Sequence, residues 1–140
     1  MNQPKRVLFI CIGNACRSQM AEAFARAYGS DVLVASSAGF SPASRIPDDT
    51  LHAMEAKNLD MAGQLPKAVS DLRASDFDLI INMSGFPLRE SEQMVREWAV
   101  PDPVSMDYEE HCQIRDQIEN LVMSLILELR REEKRLRTQS

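Results

Sequence analysis

The apolar run Val7-Leu8-Phe9-Ile10 leads straight into Cys11-Ile-Gly-Asn-Ala-Cys-Arg-Ser18, after which apolar residues recur at Met20, Ala23, Phe24 and Ala27. Few folds accept such a segment. The run reads as a short buried strand, and the spacing of three and four predicts a helix from Gln19 to Tyr28. A tight concave loop must join them. Gly13 and Asn14 are the residue types that accept the left-handed backbone angles such a loop requires.

A strand–loop–helix of this kind has a chemistry. Successive amides of Ile12, Gly13, Asn14, Ala15, Cys16, Arg17 and Ser18 can curl into an anion nest. The helix N-terminus adds partial positive charge and free N–H donors. Arg17 offers a planar fork to two oxygens of a tetrahedral anion. Cysteine thiols at helix N-termini beside cations ionise more readily than free ones, and the thiolate is the nucleophile. Ser18 is placed to donate a hydrogen bond to Cys11. The loop is therefore expected to bind a phosphate-like oxyanion, and Cys11 to attack it. A cysteine closing a strand is often only a small buried hydrophobe. The order Cys, Gly, Asn, Arg, Ser between strand and helix outweighs that reading.

Further along, Val32–Ala35 predicts a second strand and Ser36–Pro47 a loop. A helix is expected over Pro47–Lys57, with Asp48 and Asp49 suited to the dipole of its first turn. Asn58–Pro66 reads as loop, and a short helical turn begins at Ser70-Asp71. Phe77–Met83 predicts a central strand, Leu88–Glu97 a helix, and Trp98-Ala99-Val100 a fourth strand stopped by Pro101 and Pro103. Asp107 to Arg137 predicts one long helix with Ile114, Ile118, Leu121, Val122, Leu125, Ile126 and Leu129 as its buried stripe. Alternating strands and helices imply an α/β fold with parallel strands. Ligands of such sheets bind outside the carboxyl ends of the strands. Cys11, Ser37, Met83-Ser84 and Asp102 all follow strand ends, so the candidate chemistry falls on one edge. Asp102, in Val-Pro-Asp-Pro, reads on its own as a turn-former; its position after the last strand makes it also the candidate general acid, and the base for a later water attack.

The 140 residues suit one domain over 1–140. A net charge of −5 gives no reason to expect nucleic acid. No apolar run nears the roughly 20 residues of a membrane span, and the N-terminus is not a secretory signal. Three cysteines without clustering suggest neither a metal nor a disulfide framework. No metal or other cofactor is expected, and the compartment is expected to be the cytoplasm. Cys16 is either a partner for a reversible Cys11 disulfide or a small buried residue. Cys112 reads as structural or solvent-facing. His52 and His111 read as surface or helix-packing residues, and Glu22 as part of a solvated face.

VLFICIGNACRSQMAEAFAR resembles the N-terminal signature of the low-molecular-weight protein tyrosine phosphatase superfamily, which includes arsenate reductases on the same fold. SSAGF at 36–40 is similar to its second-strand segment, FDLIINM at 77–83 to its third strand, and Asp102-Pro103 to its general-acid loop. The resemblance implies a three-layer, doubly wound α/β/α fold with a four-stranded parallel sheet. It implies Cys11, Arg17 and Asp102 as catalytic residues, residues 12–18 as the phosphate-binding loop, and Asn14, Ser18 and Ser37 as its support.

Two branches compete. Gln19 in RSQMAE, the LDMAGQLPKAVSDL segment and Trp98 look like the reductases, and Val104-Ser105 replace the aromatics of the phosphatases' tyrosine pocket. The thioredoxin-linked reductases, however, relay a disulfide through two cysteines at and after the third strand. INMSGFPLRESEQM holds none. On chemistry alone this favours a phosphomonoester hydrolase working through a cysteinyl-phosphate on phosphotyrosine protein or small aryl phosphate. Arsenate reduction and non-catalytic binding of an oxyanion or phosphopeptide are the alternatives. Inorganic phosphate or a similar anion is the expected small ligand; no nucleic acid or membrane partner is expected, and oligomeric state is left open.

Overall fold

Strand β1, Lys5–Cys11, runs through the middle of a four-stranded parallel sheet of order β2-β1-β3-β4. The computed structural model describes residues 3–88 and 94–139. The other strands are β2, Leu33–Gly39, β3, Leu79–Asn82, and β4, Met94–Glu97. Residues Val7 to Ile10 pair with β2 on one side and β3 on the other, Phe9 facing Ser37 and Ile81. A strand buried on both faces reads as a continuous apolar run, which is why 7–10 carries no alternation.

Alternate residues still part to opposite faces. Val7 and Phe9 join Leu79 and Ile81 in the larger core, beneath helix α1, Arg17–Gly29, and helix α3, Tyr108–Thr138. Leu8, Ile10 and Ile80 face the other side, covered by Val69, Leu72, Phe77 and Leu88. Helix α2, Asp48–Glu55, packs on α3. Asp107 caps α3 by accepting from the Glu110 amide at 2.8 Å. His111, Ile114, Ile118, Val122, Leu125, Ile126 and Leu129 form the helix's buried stripe; Leu121 is half-buried.

The chain leaves β1 toward β2 on one side and returns to β3 on the other. The carboxyl end of β1 is thus the topological switch point, where neighbouring loops diverge and leave a crevice. Cys11 ends β1 at that point.

Three expectations fail. Strand β2 runs on through Ser36–Gly39, which was expected to be loop, because those residues pair with Leu8–Cys11. Met94–Glu97 is a strand, not the end of a helix, because it pairs in register with Leu79–Asn82; residues 89–93 of that expected helix lie outside the described residues. Trp98–Val100 is irregular, and Trp98 packs instead against Phe9 with ring centroids 5.9 Å apart.

Candidate active site

The loop after β1 is fastened by its carbonyls. Those of Cys11, Ile12 and Gly13 accept from the amides of Phe40, Ser41 and Ala43 at 3.3, 2.8 and 2.9 Å. Among the described residues, no hydrogen bond uses the amides of residues 12–15 as donors. Outward carbonyls and uncommitted amides are what an anion nest consists of. Asn14 takes the left-handed conformation, φ 48°. Gly13 does not, contrary to expectation. The essential glycine is Gly39: a Cβ there would stand 2.6 Å from the Asn14 nitrogen and 2.7 Å from the Ile12 carbonyl oxygen.

Side chains then orient Cys11. The Lys67 amide can only donate, and it meets Asn14 Oδ1 at 2.7 Å. That fixes Asn14 Nδ2 as the donor to Ser18 Oγ, 2.7 Å away. Ser18 keeps its own proton free to donate to Cys11 Sγ, 2.9 Å away, when that sulfur is ionised. A donor on sulfur stabilises negative charge there, whether the sulfur attacks or departs. Asn14, Ser18 and Cys11 are therefore one bonded chain, with Cys11 and Cys16 both buried. Gln19 adds a brace: its Nε2 reaches Asn14 O and Oδ1 and the Leu65 carbonyl, at 2.9–3.0 Å.

Arg17 lies otherwise than as an open fork. Its Nη1 donates to the Met83 and Val100 carbonyls at 2.5 and 2.9 Å, and Nη2 lies 3.7 Å from Asp102 Oδ2. The guanidinium thus ties α1 to the end of β3 and to the segment carrying Asp102. Asp102 is 41 % exposed and accepts from the Val104 amide at 3.1 Å. A cleft of about 410 Å³ opens beside Arg17, lined by Met83, Glu97, Trp98, Val100 and Pro101.

Two buried clusters escaped sequence reading. Glu22 was expected in solvent but is 3 % exposed. It accepts from Ser37 Oγ at 2.6 Å and from Arg26 at 2.5 Å, with Lys67 Nζ 3.9 Å away. Ser37 therefore meets α1 rather than the loop. In the second cluster, Thr50 Oγ1 lies 3.3 Å from Cys16 Sγ and 2.9 Å from His111 Nε2. Burial pushes the Cys16 thiol up to about 11 and holds the His111 imidazole below its ordinary value. His111 is a packing residue, as expected of a histidine with no partner pattern, but a fully buried one. Cys112 is half-buried. Among the described residues no three His, Cys, Asp or Glu side chains gather as metal ligands, and no helix is long and apolar enough to cross a membrane.

A cysteine, an arginine and a nearby aspartate thus stand together with a loop of uncommitted amides at the switch point of a parallel α/β sheet. The chain belongs to the low molecular weight phosphotyrosine protein phosphatase family, whose model matches residues 6–135. It is 30% identical over 130 residues to a glutaredoxin arsenate reductase of Synechocystis sp., covering 89% of this chain and 98% of that one. It is 32% identical over 124 residues to a putative arsenate reductase of Halobacterium salinarum, covering 84% and 87%. Among solved structures, an arsenate reductase in the phosphate binding state superposes with TM-score 0.82 at 29% identity, covering 89% of this chain and 98% of that one. The YwlE arginine phosphatase from Geobacillus stearothermophilus also gives 0.82, covering 94% and 97%, but at 22% identity it speaks for the fold alone.

Proposed function

We propose that this chain is an arsenate reductase in which Cys11 attacks arsenate held by residues 12–18. The observation that supports it most is the likeness to relatives named arsenate reductases over nearly their whole length. It shifts the balance away from phosphate hydrolysis, which the missing relay cysteines had favoured. The Gln19 brace, at a position where the chain resembles the reductases, agrees with it.

The Cys11 thiolate displaces one arsenate oxygen and forms an S–As bond, while Asp102 protonates the departing oxygen so that it leaves as water. The loop amides and Arg17 carry the remaining oxygens. A second thiolate then attacks the Cys11 sulfur. The S–As electron pair stays with arsenic, which falls from As(V) to As(III) and leaves as arsenite, and a disulfide remains. Two electrons have moved from two thiols to arsenic. A small thiol or a thiol protein of the reducing cytoplasm then exchanges with that disulfide and restores Cys11.

Phosphomonoester hydrolysis is the second reading, favoured by the aspartate beside Arg17. There the same attack yields a cysteinyl-phosphate, Asp102 protonates the leaving alcohol, and water activated by Asp102 releases phosphate. Arsenite production from arsenate with glutathione, run beside para-nitrophenyl phosphate hydrolysis, decides between them. Cys11-dependent arsenite supports reduction; Cys11-dependent hydrolysis without arsenite refutes it.

A further inference from the structure

Strand β3 ends in an asparagine, Asn82, that is 1 % exposed. Burying a carboxamide is costly unless its groups are paired, and here they are. The Ser84 amide can only donate, and it meets Asn82 Oδ1 at 3.1 Å. That fixes which way the side chain lies. Its Nδ2 therefore donates to the Phe86 carbonyl at 2.7 Å and to Glu97 Oε1 at 3.3 Å. The Ser84 hydroxyl is a second donor to Oδ1, at 2.7 Å, and accepts from the Phe86 amide at 3.0 Å. A side-chain oxygen that takes the amide two residues on makes an Asx turn. The turn bends the chain directly after Met83, and Gly85 completes it with a φ of 83°.

The Ser84 N–H and the Met83 carbonyl belong to one planar peptide unit and point to opposite sides of it. Asn82 holds the N–H end. Arg17 Nη1 donates to the carbonyl end at 2.5 Å. The preceding peptide is held by the sheet, through the Met83 amide and the Ile10 carbonyl at 2.7 Å. The Met83 carbonyl is thus set by the strand on one side and by the Asn82 side chain on the other.

We infer that Asn82 is a positioning residue for the oxyanion: it sets the Met83–Ser84 peptide, and that peptide sets the Arg17 guanidinium. Nη1 carries two hydrogens, and the Met83 and Val100 carbonyls take both. Those hydrogens lie in the guanidinium plane, so the two carbonyls fix that plane. The edge formed by Nε and Nη2 is aimed with it. Among the described residues no hydrogen bond uses that edge, and Asp102 Oδ2 approaches Nη2 only to 3.7 Å. Two parallel N–H groups there match two oxygens of a tetrahedral anion. A Met83 carbonyl turned away would leave a charged donor unpaired in a buried site, and the guanidinium would rotate to find another acceptor. The inference deepens the reductase proposal and rests on its reading of Arg17 and residues 12–18 as an oxyanion site.

Inorganic phosphate is the probe, followed by calorimetry on the full-length protein, because its binding reports on Arg17 without turnover. Asn82→Leu keeps roughly the same volume and removes both the acceptor and the donor. It should weaken phosphate binding by about tenfold, the loss of a preorganised charged donor. Arsenate kcat/KM should fall by about ten- to a hundredfold, as misplacement of a binding group does. Asn82→Ser keeps an acceptor for the Ser84 amide and should recover most of the affinity. In an Arg17→Lys background, Asn82→Leu should cost less than about twofold, because its effect passes through the guanidinium. An asparagine with a merely structural role would cost the same in both backgrounds. The Arg17 Nε–H resonance of nitrogen-15-labelled protein should be sharp in the wild type and broadened in Asn82→Leu.

Unchanged phosphate affinity in folded Asn82→Leu, or an equal loss in both Arg17 backgrounds, overturns the inference; arsenite production by the wild type then upholds the reductase reading by itself. Weakened phosphate binding in Asn82→Leu, with no arsenite from the wild type, sustains the inference and refutes the reductase reading. If Asn82→Leu does not fold, hydrogen exchange of the Ser84 amide in the anion-free wild type decides. Strong protection is expected, and exchange at the rate of an open loop overturns the inference.

Discussion

The loop after β1 and the segment after β4 both border the site, and they are built in opposite ways. Residues 12–16 are held by three backbone carbonyls, by the Lys67–Asn14–Ser18–Cys11 chain and by the Gln19 brace. Asn14 and Ser18 are fully buried. The segment that carries Asp102 is irregular, its carboxylate is 41 % exposed, and its link to the loop is Arg17. In the proposed mechanism one region is a braced anion cradle and the other an exposed proton donor beside a guanidinium tether. Anion binding and thiol attack need fixed donors, because positioning supplies much of the rate. A proton donor needs only reach.

The largest expected effect comes from Cys11, the proposed nucleophile. Cys11→Ser should lower turnover by about six orders of magnitude, as loss of a covalent nucleophile does. Phosphate binding followed by calorimetry should survive in that variant. If the two regions contribute alike, this contrast disappears.

Arg17→Lys probes the tether. Lysine cannot reach both the Met83 and Val100 carbonyls and the site, so a buried, charge-assisted pair of bonds is lost, each about 1.5–3 kcal/mol. Arsenate kcat/KM should fall by about a hundredfold or more. Gly39→Ala probes the cradle's backing. Its Cβ meets backbone at 2.6 and 2.7 Å, so the loop must shift. Thermal unfolding should report a loss of about 1–3 kcal/mol, with weaker phosphate binding; an unchanged affinity would mean the loop tolerates displacement and is no rigid cradle.

Asp102→Asn separates the two chemistries. An exposed donor should matter little to arsenate, whose leaving oxygen departs as water, and the slowing should be under about tenfold. Aryl phosphate hydrolysis would instead fall by about 10²–10⁴, the usual contribution of general acid catalysis.

The smallest effect concerns pH. Burial holds His111 below its ordinary value of 6.5, so the unfolded chain binds that proton first. Stability contributed by the neutral imidazole is full above pH 6.5 and declines as pH falls through that value toward the folded one. Denaturant midpoints between pH 7.5 and 5 should drop in the wild type and drop less in His111→Gln. Parallel curves would show that the imidazole is not held neutral.

The same contrast explains what could be read from sequence. Cys11, Asn14, Arg17 and Ser18 lie within eight consecutive residues, so their spacing and residue types carried the cradle without tertiary information. The long helix was legible because its apolar stripe repeats from Ile114 to Leu129. Strand β4 was not: Met-Val-Arg-Glu is an adequate helical sequence, and only pairing with Leu79–Asn82 makes it a strand. Glu22 looked solvated because its partners Ser37 and Lys67 lie 15 and 45 residues away. His111 did carry a signal, standing three residues before Ile114 on the same stripe of α3, and that spacing marks it as buried. Its partner Thr50, 61 residues distant, left none.

The central claim is that the cradle serves arsenate reduction. The most direct measurement follows arsenite formed from arsenate by the full-length protein in the presence of glutathione, with Cys11→Ser alongside. Catalytic arsenite production by the wild type, absent in the variant, is the predicted result. No arsenite, together with Cys11-dependent release of para-nitrophenol from its phosphate ester, would contradict the account and establish a phosphatase.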